Sequence, residues 1–490
     1  MVQAVRLARR FAPNLEAEHA MITVLALVNP QVDSPVNGEQ RIRRFICRFG
    51  RGARTAAGAA IGLATVCGVL RSAHAQPAFE FAKPVSYIFD FAMYPTAIAA
   101  GDLNNDGFVD LVVSGRNVEG KVLIMLGEGD GVLGRPMELL IESQTEWVSV
   151  RNFDLDGPLD LAVLVRGSEG VVAMFSGVGD GTFTDRTDHA VGRSPSSMVA
   201  EDFDGDGAID LAVTNFGSDD VSILLNDGQG GMNLWQTVAL GGPLKGRAWP
   251  FYMTASDFDN DLDLDLLVGH FGSSHVSFLR NQGDGAFSAA LTIPVLQPVG
   301  VAAADMNLDG NIDVVMADLT DFEGRSAVLE NHGDAQFSGL TTFDTGGWSW
   351  YVATPDLNGD GRPDVALTDV LDDLLILLPN ESAGDMALGR AQFIPVAAFP
   401  RFILPVDLDG DCDMDLVVAS LGAHRLTVLL NETPQGSSCP IADLSGDGRV
   451  GVSDLLILLA DWDAPGGSAD FDYNGHVSVS DLLFLLKHWD

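Results

Sequence analysis

The side chains with the clearest capacity for chemistry are carboxylates and amides on a nine-residue loop that recurs seven times. The first copy, DLNNDGFVD, spans 102–110, and successive copies start 50, 50, 55, 48, 51 and 51 residues further on. Positions one, three, five and nine carry oxygen. They are Asp102, Asn104, Asp106 and Asp110; Asn152, Asp154, Asp156 and Asp160; Asp202, Asp204, Asp206 and Asp210; Asp257, Asp259, Asp261 and Asp265. The last three copies supply Asp305, Asn307, Asp309 and Asp313; Asp356, Asn358, Asp360 and Asp364; Asp407, Asp409, Asp411 and Asp415. Two carboxylates about 4 Å apart repel by roughly 4 kcal/mol at an effective dielectric of about 20. A turn holding several such pairs calls for a cation, and hard oxygen donors in variable number suit Ca2+ better than Zn2+ or Mg2+. Glycine at position six permits the left-handed turn around an ion. Asn152 in the second copy, Leu262 in the fourth and Cys412 in the seventh depart from the pattern, which predicts weaker sites there.

Other chemistries find little support. The histidines after residue 75 (His189, His270, His275, His332, His424, His476 and His488) form no HExxH, and neither a GxSxG elbow nor a phosphate-cradling GxxxxGKS loop occurs. The conspicuous carboxylate pairs are absorbed by the metal loops, so no catalytic residue is assigned and the chain reads as a non-enzyme. His270 and His275 flank one hairpin and read as a satisfied surface pair.

The loops must be positioned by strands. Each is followed by a short β-type run such as Leu211–Val213, then a turn, a second apolar run such as Val221–Leu225 ending in Asn226, and a Gly/Asp turn with a Phe, as in GDGAF at 283–287. A further strand-like stretch precedes each loop. Four short strands per period of about 50 residues match one propeller blade, and no repeat holds a helical pattern of about 10 residues or more. The expected fold is mainly β, a seven-bladed propeller. The seventh repeat stops at Asn431 without its Phe-bearing outer strand, and Phe79–Phe81 supplies one ahead of the first repeat. An N-terminal strand completing the last blade would close the ring and hide its edges.

The loop, the apolar run after it and the later GDGxF resemble FG-GAP/VCBS repeats, the repeats of the integrin α-subunit propeller, over about 76–435. That resemblance implies a calcium-stabilised platform for extracellular ligand binding, with loop positions one, three, five and nine as the calcium ligands, up to seven ions in all. No DxSxS insert is present, so integrin-type ligand capture is not implied.

Residues 436–490 hold two similar segments 27 residues apart. Each fits a 12-residue EF-hand-like loop with glycine at position six. Asp443, Ser445, Asp447 and Asp454 occupy positions one, three, five and twelve of the first, and Asp470, Asp472, Asn474 and Asp481 those of the second. A Leu-rich helix too short to stand alone follows each loop. The pair resembles a dockerin, a calcium-folded module whose usual partner is a cohesin. The resemblance implies two further ions, with Val452, Ser453, Val479 and Ser480 as partner-contact positions. The plainer alternative is a structural calcium hairpin.

Composition sets the compartment. The chain has 490 residues, 28 Lys+Arg against 68 Asp+Glu and a formal charge of −40. A surface this acidic repels nucleic-acid phosphate and anionic membranes. Residues 1–75 differ, with ten Arg and four acids. There a basic stretch from Arg41 to Arg54 precedes an apolar run at 55–70 and the small-residue site Ala73-His74-Ala75, the pattern of an export signal. The alternative is a membrane anchor, for which about 16 residues are short. The three segments are therefore a leader (1–75), a propeller (76–435) and a tail module (436–490), with a secreted or cell-surface destination. Cys412 and Cys439 remain after the leader and leave two alternatives, one disulfide or two thiols.

Counting back from each loop start, aromatic residues recur eight and five positions earlier: Tyr94, Trp249, Trp348 and Phe399, then Trp147, Tyr252 and Tyr351. Equivalent strand starts should gather at one mouth of the ring. Aromatic faces there either stack on a sugar or peptide or pack between blades. The expected function is an extracellular binding or adhesion module tethered through its tail to a cohesin-type or cell-surface partner. The alternative is a component of a secreted polysaccharide-degrading complex.

Overall fold

The computed structural model describes residues 78–89, 93–116, 120–241, 248–319 and 324–434, together with 444, 452–460, 462, 469, 471, 477 and 479–487. The expected leader, Cys439 and the loop ligands Asp443, Ser445, Asp447, Asp470, Asp472 and Asn474 lie outside these residues. So do the side chains of Ser453, Asp454 and Ser480.

Alternating apolar runs separated by Gly- and Asp-rich turns fold into seven four-stranded antiparallel sheets. Blade 3 is representative, with β10 (Pro195–Glu201), β11 (Asp210–Asn215), β12 (Asp220–Asn226) and β13 (Met232–Ala239) in that order. The second strand of each blade is buried along its whole length, as a strand covered on both faces must be. The cores lie between blades. Phe153, Leu164 and Met174 of blade 2, for example, join Met198, Leu211 and Leu224 of blade 3.

The ring closes through the N-terminal segment. β1 (Val85–Ile88) pairs antiparallel with β28 (Arg425–Leu429) and becomes the outer strand of blade 7. Ile98, Val113 and Met125 of blade 1 then share one core with Val417, Ala419 and Leu426 of blade 7. The outer strand is thus Val85–Ile88, not Phe79–Phe81. Phe79 instead plays the part of the repeating Phe: its backbone N–H and C=O bond the Gln392 amide at 3.2 and 2.8 Å, as those of Phe287 bond Gln236. A chain that docks this Phe first reaches the strand position only several residues later.

Every innermost strand carries a register shift near its start. A bulge re-aims the extra residue relative to the regular pleat. The residues inserted include Glu146, Phe251, Trp350 and Arg401.

The tail contributes two described helices, α1 (Val452–Ala460) and α2 (Val479–Lys487). Leu458 and Leu485 are buried in one apolar cluster with Phe471, Val477 and Cys412 of blade 7. Cys412 is disulfide-bonded, which excludes the free thiol at that position.

Candidate functional site

Each acidic loop joins the innermost strand of a blade to the second, so all seven lie on one face of the ring. The position-one carboxylate folds the turn. Asp102, for instance, accepts the backbone N–H groups of Asp106 and Gly107 at 3.1 and 2.9 Å. Position five accepts the N–H of position seven, as Asp206 does from Ala208 at 2.9 Å. Left-handed backbone recurs at two positions in every copy. Position four has φ between 58 and 76°, and position six has φ between 76 and 115°. Leu262 and Cys412 both hold φ 76° there despite their side chains.

Position nine braces the blade. The Asp210 carboxylate accepts the Phe203 N–H at 2.9 Å through Oδ2 and the Asn226 N–H at 2.8 Å through Oδ1, linking the loop to the end of the third strand. The bond to the third strand is present in all seven blades. An ionised carboxylate has about four acceptor sites, so this brace leaves room for a cation.

Three loops bring carboxylates together, with one oxygen from each residue of a group within 4.8 Å of those of the others: Asp202, Asp204 and Asp206; Asp257, Asp259 and Asp265; Asp407, Asp409 and Asp415. Two of these are the copies without glycine at position six. Asp259 Oδ1, Asp265 Oδ2, Asn358 Oδ1, Asp409 Oδ1 and Asp413 Oδ1 are buried and meet no hydrogen-bond donor among the described residues. Oxygens crowded, buried and donorless in this way fit a hard cation. In blade 4 the Arg280 guanidinium already sits 2.7 Å from Asp259 Oδ2 and supplies part of the positive charge. Burial, reinforced by neighbouring carboxylates, pushes the position-nine acids up. Asp110, Asp160 and Asp313 rise to about 6, Asp210, Asp265 and Asp364 to about 7, and Asp415 to about 8.

The opposite face carries the starts of the innermost strands. The structure divides the seven aromatic candidates there. Trp147, Tyr252 and Tyr351 join Phe402 in a closed circuit across the ring, with centroid separations of 5.8, 5.1, 4.4 and 5.2 Å. These side chains plug the centre by packing on one another. Trp249, Trp348 and Phe399 are half-buried around the rim of an aromatic cluster built on Phe251 and Trp350. Trp249 lies parallel to Phe216 at 6.3 Å and 10°. Tyr94 is set apart, edge-on to His424 at 4.4 Å.

Sequence reading missed the charged half of this mouth. Glu146 is buried, and its carboxylate accepts from Arg116 at 2.7 and 2.8 Å, Arg401 at 2.7 Å and Arg166 at 3.4 Å. Burial opposes the charged form, but Arg116, Arg401 and Arg166 outweigh it and hold the carboxyl well below the usual carboxylate range. The missed signal was positional: Glu146 and Arg401 stand six residues before a loop start, and Arg116 and Arg166 stand fourteen after. The His270–His275 expectation is also corrected. Both rings are buried, 4.3 Å apart, because the hairpin strands they belong to are interior; His270 Nε2 lies 2.9 Å from Ser277 Oγ.

The FG-GAP-like repeat family matches residues 152–213, 202–268, 257–316 and 305–367, and the FG-GAP repeat matches 94–125. The two together span more than half of the chain. This is an FG-GAP-repeat propeller. No curated protein matches it. Among solved structures, BBS1N in its complex with ARL6DN superposes with TM-score 0.51 at 13% identity, covering 73% of this chain and 98% of that one. A streptogramin B lyase gives 0.50 at 14% identity, covering 73% and 100%. At such identity these likenesses show the fold alone. The seventh repeat of the FG-GAP propeller lies beyond the matched segments, yet its Asp407–Asp415 loop has the same braces as the rest.

Proposed function

We propose that this propeller is a secreted, calcium-loaded binding module, its acidic loops holding Ca2+ on one face and its opposite mouth taking an extracellular ligand. The observation that carries the reading is the convergence of carboxylate oxygens within 4.8 Å in three loops, with buried donorless oxygens among them. Positions one, three and five furnish oxygens on the loop, and position nine contributes the oxygen left over from its brace. Calcium neutralises these groups and rigidifies the ring; it does not enter a reaction.

The tail is read as a dockerin-like calcium module that tethers the propeller to a cohesin-type or cell-surface protein. Val452, Leu456 and Leu459 of α1 are exposed, and so are their counterparts Val479, Leu483 and Leu486 of α2. Two apolar stripes in equivalent positions support a protein partner over water as their neighbour. Backbone support comes from Phe471, whose N–H donates to Asp481 Oδ1 at 2.8 Å and ties the start of the second loop to its last ligand position.

The test is metal content and melting of the mature protein before and after chelation. Several bound Ca2+ per chain, with a melting temperature that falls on chelation and returns with calcium but not magnesium, supports the reading. A metal-free chain that melts unchanged sinks it.

A further inference from the structure

The acidic loops of blades 4 and 7 share a composition and differ in what covers them. Each carries five aspartates at alternate positions, 257–265 and 407–415, and no other loop carries more than four. Both turn through φ 76° at position six, where the backbone N–H donates to the position-one carboxylate: Leu262 to Asp257 Oδ2 at 2.9 Å, and Cys412 to Asp407 Oδ2 at 3.1 Å. The backbone is the same, yet Leu262 is 91% exposed and Cys412 6%. Position six is exposed in blades 1, 2, 4, 5 and 6 and half-buried in blade 3, so its burial is peculiar to blade 7. The cover is the tail. Leu458 of α1, Leu485 of α2, Ala469, Phe471 and Val477 make up the rest of the buried cluster that contains Cys412. The adjacent Asp413 is buried as well, whereas its counterpart Asp263 is half-buried.

Asp407, Asp409 and Asp415 converge beside this cover, and Asp409 Oδ1 and the buried Asp413 Oδ1 meet no donor among the described residues. In blade 4 the Arg280 guanidinium takes up part of the charge at Asp259. Among the described residues no Lys, Arg or His forms an ion pair with an acid of the blade 7 loop. Its carboxylates are left to a cation, and their attraction for one grows as the tail displaces water and the local dielectric falls. We infer that the tail caps the calcium site of blade 7: docking of α1 and α2 retains the ion there, and the ion in turn holds the tail down. The coupling is reciprocal, because an ion bound more tightly under the docked tail favours docking by the same factor. The two loops with five aspartates then separate into a freely exchanging site in blade 4 and a retained one in blade 7. This rests on the calcium reading of the acidic loops and adds to it one site governed by another module of the chain.

The full mature chain is loaded with radioactive Ca2+ and chased with excess unlabelled Ca2+. Asp409→Asn should remove an ion from the slow phase of release, and Asp259→Asn should remove one from the fast phase, the two phases differing by about ten-fold or more. Leu485→Glu sets a charge in the fully buried centre of the cluster, which cannot then stay packed. It should move the blade 7 ion to the fast phase, so that adding Asp409→Asn to Leu485→Glu now removes a fast ion. This pairing distinguishes the blade 7 ion from any held by the tail itself, and it reads the same whether the tail undocks or unfolds. In the opposite direction, Asp409→Asn should speed hydrogen exchange of the α1 and α2 amides in the presence of calcium, and Asp259→Asn should not. A single release rate for every ion, or a blade 7 ion that stays slow with Leu485→Glu, overturns the cap and leaves the calcium reading standing. A chain that takes up no label overturns both.

Discussion

The side-chain amide of Asn226 donates to the carbonyl oxygen of Phe153 at 2.7 Å, reaching from the third strand of blade 3 into the loop of blade 2. The same latch recurs as Asn281 to Phe203, Asn331 to Phe258, Asn380 to Met306 and Asn431 to Leu357, between 2.7 and 2.9 Å. Blades 1 and 2 carry Gly127 and Gly177 at the equivalent place, where an added Cβ would meet a backbone oxygen at 2.4 or 2.1 Å. The junction between blades 7 and 1 relies on another bond, from the Leu133 N–H to the Tyr87 hydroxyl at 2.9 Å.

Asn331 makes a direct test of the latch. It is fully buried, and its amide also reaches the Ile312 carbonyl at 3.1 Å. Asn331→Ala leaves two carbonyls without that donor and should cost about 2–4 kcal/mol of stability. Urea unfolding measures it, and a loss below about 0.5 kcal/mol would mean that water replaces the latch without penalty.

Brace and ligand positions should separate under mutation. Asp313→Ala removes the acceptor for the Met306 and Asn331 N–H groups and should destabilise the protein with or without calcium. Asp206→Asn keeps the local turn acceptor but removes charge from a converging cluster. It should lower calcium affinity and leave the chelated protein's melting temperature nearly unchanged. Equal effects of the two variants in both states would contradict the division of labour.

The metal-free protein should gain stability on mild acidification. The position-nine acids have folded pKa values raised by burial to about 6 through about 8. A raised carboxylate favours folding below its unfolded pKa, and that contribution is lost as pH rises through the folded value. Chelated protein should therefore melt higher near pH 5 than near pH 8, while the calcium-loaded protein should show no such gain. Thermal melts across this range, in both states, read the difference.

Much of this was legible in the sequence. The 48- to 55-residue spacing implied the blade count, and the loop pattern marked seven acidic turns between strands. What escaped were relationships that only ring closure creates. Glu146 and Arg401 are 255 residues apart; they share one position in the repeat, but the period alone does not say that blades 2 and 7 bring their charges together. Trp147 and Tyr252 were expected at one mouth, either to stack on a ligand or to pack between blades; ring closure makes them pack on one another. Left-handed backbone at position four was hidden because Asn, Leu and Gly all occupy it.

Acid should act on blade 4 through its buried histidine pair. Burial, aided by His275, drops the His270 pKa to about 3. The neutral ring's contribution is complete above the unfolded value of about 6.5 and is lost as pH falls toward 3, at about 1.4 kcal/mol per unit. Calcium-loaded protein should thus weaken by about 2 kcal/mol between pH 6.5 and 5 from this residue. His270→Gln should flatten that slope in urea titrations, and an unchanged slope would assign the acid sensitivity elsewhere.

Leu262 and Cys412 share a backbone angle and should answer glycine oppositely. Leu262 is 91% exposed, so its side chain offsets none of the left-handed strain. Leu262→Gly relieves about 1–2 kcal/mol of that strain against about 0.5–1 kcal/mol of added chain entropy, a net gain of about 0.5–1 kcal/mol. Its loop should also bind calcium more tightly, since the turn is then at rest in the shape that gathers Asp257, Asp259 and Asp265. Cys412→Gly makes the same backbone change but removes a disulfide sulfur and a member of the cluster around Leu458 and Leu485. It should destabilise the chain despite the relaxed turn. Urea midpoints for the two variants, taken with calcium present, should move in opposite directions; a shared direction would show that backbone strain does not govern position six.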